Sequence, residues 1–129
     1  MNKKVLISAG VTGVLAVLIG AFAAHGLKTK ISNEAMQSFQ TGVRYQMYHA
    51  LLLLFVGSTS MLSIKSKKMI CYMVIMGVFF FSCSIYGLAT NALSNFDFKT
   101  IGFITPIGGL FLVGAWITMI IGFLKFKMN

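Results

Sequence analysis

The feature that most limits this chain is a set of four long stretches without a single Asp, Glu, Lys or Arg, at 5–24, 45–64, 69–96 and 100–124. Each reaches the ~20 residues a helix needs to cross ~30 Å of hydrocarbon. Only helices and closed barrels satisfy their backbone hydrogen bonds in lipid, and these runs lack the polar/apolar alternation of barrel strands. Composition closes off a soluble alternative. The chain has 129 residues, 57% of them hydrophobic and 10% charged, against roughly 25% charged in soluble domains. A globule this small exposes too much of itself to water to hide that much apolar surface. The sequence therefore predicts an all-α membrane protein, a four-transmembrane-helix bundle forming one domain over 1–129, with spans near 5–24, 45–64, 69–91 and 105–124.

The first run invites comparison with a secretory signal, because Lys3 and Lys4 precede it and Ala21-Phe22-Ala23 resembles a cleavage site. At 20 residues it exceeds the 7–15 of a signal core, so a retained helix is expected. Cys71 and Cys83 lie in one run, separated by about 18 Å of helical rise, too far to bond to each other. Neither has zinc-ligand spacing, and both read as small packing residues.

A net charge of +9 raises the question of nucleic acid. The basic residues fall in short clusters between the apolar runs, as flanks against lipid head groups do, and no basic face interleaved with aromatics appears, so no nucleic-acid partner is expected. With four crossings, Lys3, Lys4, Lys65, Lys67, Lys68, Lys125 and Lys127 share one side, and Lys28, Lys30, Arg44 and Lys99 the other, together with the only acids, Glu34 and Asp97. The lysine-rich side is cytoplasmic by the positive-inside rule, which places both termini there.

Two of the helix starts are marked. Thr105 suits an N-cap and Pro106 a first turn, and 106–124 is nearly a full crossing. Ser32 suits an N-cap with Glu34 in the first turn and Ile31 and Met36 as a hydrophobic staple. A helix running from Asn33 to Ile64 would be about 48 Å long, too long for one crossing. An amphipathic outer surface helix over 33–43 is therefore expected, bending near Gly42 into the second span. Small residues form faces at helical spacing in three spans: Ala9, Gly13, Ala16, Gly20 and Ala23; Gly77, Ser84, Gly87 and Asn91; Gly114, Thr118 and Gly122. They serve close packing within one bundle or a homo-oligomer interface.

Polar side chains at membrane depth gather toward the outer side. His25, Arg44, Gln46, Tyr48, His49 and Thr105 form the candidate cluster, with Glu34 and Asp97 as ion-pair partners. One reading is an anchoring belt at head-group level. The other is a polar pocket open to the outside for a small ligand, lipid head group or proton. Two histidines without a nearby Cys or Asp-rich motif make no metal site, and no cofactor is implied. With two acids and no nucleophile, metalloprotease or phosphate-loop motif, no catalytic residue is assigned and no enzyme is expected.

Four ordered motifs then point to a family. Gly20-Ala21-Phe22-Ala23-Ala24-His25-Gly26-Leu27, Tyr45-Gln46-Met47-Tyr48-His49-Ala50-Leu51, Phe81-Ser82-Cys83-Ser84-Ile85-Tyr86 and Thr105-Pro106-Ile107-Gly108-Gly109, with Gly114 to Trp116 behind, resemble the bacterial membrane proteins grouped as domain of unknown function 423. Ala23 and Cys83 stand where that pattern leads one to expect Gly. The resemblance implies a cell-membrane protein of four helices with no established activity. The expected role is structural or accessory in the bacterial plasma membrane, with lipid or partner binding; the alternative is a small oligomeric transporter or channel subunit entered through the outer polar cluster. Alkaline phosphatase fused after Lys127 is expected to be inactive in cells, and the same reporter inserted after Lys30 active; the reverse pattern would invert the orientation.

Overall fold

A computed structural model describes residues 2–127. Of these, 85% are helical and none is in a strand. Helix α1, Asn2–Phe22, continues through a wide π-type turn, Ala23–Leu27. Helix α2 spans Asn33–Ser58 and α3 Ile64–Val78. A second π-type turn, Phe79–Cys83, carries α3 without a break into the short α4, Ser84–Ala89. Two 3₁₀ turns, Asn91–Leu93 and Phe98–Ile101, lead to α5, Ile104–Lys125. The result is four helical columns: α1, α2, α3 with α4, and α5. The first, third and fourth are long and apolar enough to cross a membrane by length and composition.

The second column differs, because its first half carries Glu34, Gln37, Gln40 and Arg44. The segment expected as a surface helix over 33–43 and the second span form one uninterrupted helix, α2, of 26 residues, about 39 Å long. Gly42 serves a close contact, since a Cβ there would lie 2.7 Å from the ring of Tyr86. The length argument that called for a bend assumed a helix to Ile64. The helix stops at Ser58, and Ser63 opens α3 by accepting a hydrogen bond from the Ser66 amide.

The other boundaries have equally local causes. Ser32 caps α2 as expected, its hydroxyl accepting from the Ala35 amide at 3.1 Å, and Ile31 and Met36 each pack against the apolar cluster behind it. Thr105 does not cap α5; that helix begins one residue earlier, and the Thr105 hydroxyl pairs with the Ser84 hydroxyl instead. Pro106 falls within the first turn, where its missing N–H leaves no bond unmade. Asp97 caps the second 3₁₀ turn by accepting from the Lys99 amide at 3.0 Å. The preceding loop is tied back by the Phe98 amide donating to Asn91 Oδ1 at 2.8 Å.

Two apolar clusters fill the interior. The larger joins all four columns through Val5, Leu53, Val56, Ile70, Val74, Leu112 and Ala115 at the lysine-rich end. The smaller, Ala23, Leu27, Phe39 and Ala89, closes the other end. The outer surface is also apolar, with Val11, Leu18, Leu51, Leu110, Ile117 and Leu124 exposed. Such a band is rare on soluble monomers and marks a surface covered by lipid or protein. Lys67 is an exception to its basic neighbours: it is buried, and its ammonium donates to Asn2 Oδ1 of α1 at 3.0 Å.

Among the glycines, the tightest approach to a neighbouring column is at Gly108. A Cβ there would run into the backbone of Phe81 and sit 2.7 Å from the Phe80 carbonyl carbon, inside the second π-type turn. Gly10, by contrast, has nothing within 4 Å of its Cβ position. Gly108→Ala is expected to destabilise the protein by about 1–3 kcal/mol through overpacking against backbone. Gly10→Ala should be neutral or stabilising by a few tenths of a kcal/mol up to ~1, through helix propensity. Thermal unfolding in mild detergent compares the two.

Candidate functional site

The buried face of α2 runs through Phe39, Gly42, Gln46, His49, Leu53 and Val56. The steps alternate three and four, the spacing that keeps one stripe on the inside of a helix bundle. Its two ends are apolar. The middle, Gly42–Gln46–His49, is polar, and each of these three residues is hydrogen-bonded to a different part of the fold.

Gln46 is buried, and both ends of its amide are used. Its Nε2 donates to the Thr12 carbonyl of α1 at 3.0 Å, and its Oε1 accepts from the Tyr86 hydroxyl of α4 at 2.7 Å. One side chain thereby links three columns. One turn earlier, the Ser82 hydroxyl, fully buried in the second π-type turn, donates to the Gly42 carbonyl at 2.8 Å. A π-type turn is one residue wider than an α-turn. Here it carries Ser82 inward while setting the backbone of Phe80 and Phe81 against Gly108.

One turn later, His49 is buried beside α5. Trp116 Nε1–H donates to His49 Nε2 at 3.2 Å, and the other ring nitrogen lies 2.7 Å from the Tyr45 carbonyl. An indole N–H only donates, so Nε2 is the acceptor and the proton sits on Nδ1, donating to Tyr45. The imidazole is neutral in this arrangement. Aromatic rings enclose it: Trp116 edge-on at 6.2 Å and Tyr45 stacked at 6.3 Å, with Tyr45 in turn 5.0 Å from Phe81.

Of the six residues grouped from the sequence, Gln46 and His49 lie in this seam and four lie elsewhere. His25 is exposed in the first π-type turn. Arg44 is exposed and donates to Thr41 on its own helix at 3.1 Å. Tyr48 is exposed against the ring of Tyr45, and Thr105 is bound to Ser84. Asp97 serves its own loop, and Glu34 stands exposed in the first turn of α2. Ser82, Tyr86, Trp116 and the Thr12 carbonyl complete the seam and were not among the six. The available signal was the four-then-three spacing of Gly42, Gln46 and His49, with Ser82 and Tyr86 four apart on a second helix.

The small-residue faces are largely consumed inside the chain. Gly13 meets Ala50, Gly20 meets Val43, Gly77 meets Leu112 and Gly114 meets Met73. Two cavities flank the seam. One of about 190 Å³ lies between α1 and α3, with Gln46 and Cys83 on its wall. The other, about 360 Å³ and apolar, lies between α1 and α2 around Gly10, Gly13 and Met47. Neither cavity is lined by a histidine.

Residues 19–109 match the family described as protein of unknown function (DUF423). Similar proteins cover nearly the whole chain. The UPF0382 membrane protein of Haemophilus influenzae is 38% identical over 128 residues, 98% of each chain. That of Staphylococcus haemolyticus is 36% identical over 124 residues, covering 96% of this chain and 98% of its own. UPF0382 membrane protein YwdK of Bacillus subtilis is 35% identical over 126 residues, with the same shares. No solved structure matches the chain.

Removing one partner of a buried hydrogen bond leaves the other unpaired, which costs more than the bond's net value. Tyr86→Phe is expected to destabilise the protein by about 1–2 kcal/mol and Gln46→Leu by more, since it breaks two bonds. The double variant should cost less than the sum of the singles, with a coupling of about 0.6–1.7 kcal/mol, the range for hydrogen bonds between membrane helices. Reversible unfolding in detergent measures the cycle; strict additivity would mean the bond carries no stability.

Proposed function

The chain belongs to the DUF423 family of proteins of unknown function, and we propose accordingly that it is a multi-pass membrane protein acting as a structural or accessory component without enzymatic turnover. Four crossings, with both termini and the α2–α3 connection on the cytoplasmic side, fit the lysine distribution best. The α2 column is then the second crossing. Its polar inner face is shielded by the other three columns, and its outer half carries Glu34 and Arg44 into the head-group zone.

A single observation carries the reading: the buried polar groups of the α2 seam are already committed to bonds within the fold. Both ring nitrogens of His49, both ends of the Gln46 amide and the Ser82 hydroxyl are engaged in bonds between or within helices. A general base needs a free lone pair aimed at a substrate, and a proton relay needs a neighbour to pass to. The seam offers neither; it fixes helix register. For self-association the support is narrower than a stripe of small residues. It comes from the open groove around Gly10 and Gly13, which admits a neighbouring helix or an acyl chain.

The alternative, a small oligomeric transporter or channel subunit entered from outside, has less support. His25 is exposed at the end of the first column, whereas His49 is enclosed by Trp116 and Tyr45. The deciding experiment is reconstitution of the full chain into vesicles loaded with a pH-sensitive dye. Proton flux should equal that of empty vesicles, and His49→Ala should lower thermal stability without altering the flux. A flux above background that His49→Ala abolishes would establish transport and overturn the structural reading.

A further inference from the structure

At the lysine-rich end, opposite Glu34 and Asp97, two cavities open between the start of α3 and the end of α5. The first, about 460 Å³, is lined by Ser60, Lys125 and Lys127 together with the apolar Met61, Leu62 and Phe126. The second, about 340 Å³, is lined by Lys65, Met69, Thr118 and Ile121. They share Ser63, Ser66 and Lys125, so they are two lobes of one site. Ser63 donates its hydroxyl hydrogen to Ser66 at 3.1 Å, which leaves the Ser66 hydroxyl hydrogen as a donor.

Cationic and apolar side chains adjoin here as the two parts of a lipid do. Lys125 and Lys127 line the first lobe and Lys65 and Lys125 the second, several hydroxyls stand beside them, and no acid lines either cavity. Met69 lies one helical turn beyond Lys65, and Thr118 lies two turns before Lys125, so the second lobe extends from those two lysines about 6–10 Å along the α3–α5 groove, where it reaches the apolar Met69 and Ile121. Met69 and Ile121 are exposed along that groove. A soluble anion would use the lysines and hydroxyls and leave the exposed Met69 and Ile121 beside them uncovered.

We infer that this two-lobed site binds an anionic phospholipid, its phosphate among Lys65, Lys125 and Lys127 and one acyl chain in the groove beside Met69 and Ile121. The charge complementarity fits: each basic residue near an anionic membrane surface strengthens binding about fivefold, so three strengthen it about 100-fold. Lys67 is excluded from this set, because it is buried against Asn2. The site is distinct from the α2 seam and does not depend on which end faces the cytoplasm.

The test titrates phosphatidylglycerol and phosphatidylcholine onto the purified full chain in mild nonionic detergent, read by native mass spectrometry. Wild type should prefer phosphatidylglycerol. K65Q/K125Q/K127Q should weaken that lipid about 100-fold, while K28Q/K30Q/K99Q, with the same change in charge at the other end, should stay within about twofold of wild type because charges so far apart are screened from the site. Equal affinity for the two lipids overturns the proposal, as does an equal loss in both variants. Displacement of phosphatidylglycerol by inorganic phosphate at equal concentration also overturns it, by assigning the site to a free anion. If the triple variant loses helix content by circular dichroism, K125Q alone decides, with about a fivefold loss expected and no loss overturning the assignment.

Discussion

The fold depends on one buried amide. Gln46 sits where an unpaired polar group costs about 2–7 kcal/mol, and its two ends are satisfied only when α1 and α4 both stand in register beside α2. Between helices surrounded by lipid there is no water-driven attraction to bring them together, so packing and polar bonds determine which arrangement is best. A slide of one turn along any column would leave the Thr12 carbonyl, Tyr86 or Ser82 facing the wrong residue. The polar seam thus selects a register that the apolar residues alone leave open.

Close packing and the seam support each other. The short Ser82 side chain reaches the Gly42 carbonyl because Gly42 has no side chain to hold the helices apart. On the far side of the same turn, Gly108 lets α5 press against the backbone of Phe80 and Phe81. The widened turn at Phe79–Cys83 makes both contacts at once. A standard α-turn would rotate Ser82 out of line with α2 or lift the backbone off α5. π-type turns often mark functional sites; here the visible consequence is geometric.

The two ends of the bundle have different chemistry. One holds both acids, and the loops there are bound by local caps such as Asp97 and Ser32. The other gathers Lys65 of α3, Lys125 of α5 and Lys127 around serine-lined cavities. Along the bundle's length the same chain thus presents an internally satisfied polar core, an apolar belt and a cationic rim. Each suits a different layer of a bilayer.

The sequence by itself determined the helical class, the membrane setting and the Ser32 cap, because each rests on a local signal: uncharged runs of fixed length, or a side chain within reach of its own helix terminus. It also drew attention to Gln46 and His49, as polar residues in an apolar run. Only the tertiary structure decided that these two face inward, whereas Arg44 and Tyr48, their neighbours on the same helix, face outward. It likewise decided that Gly42 receives Tyr86, and that Thr105 binds Ser84 rather than capping α5. The physical reason is the same in each case. A polar side chain or a glycine has several uses with similar local energies, and the choice is made by what the next helix places within about 3 Å of it.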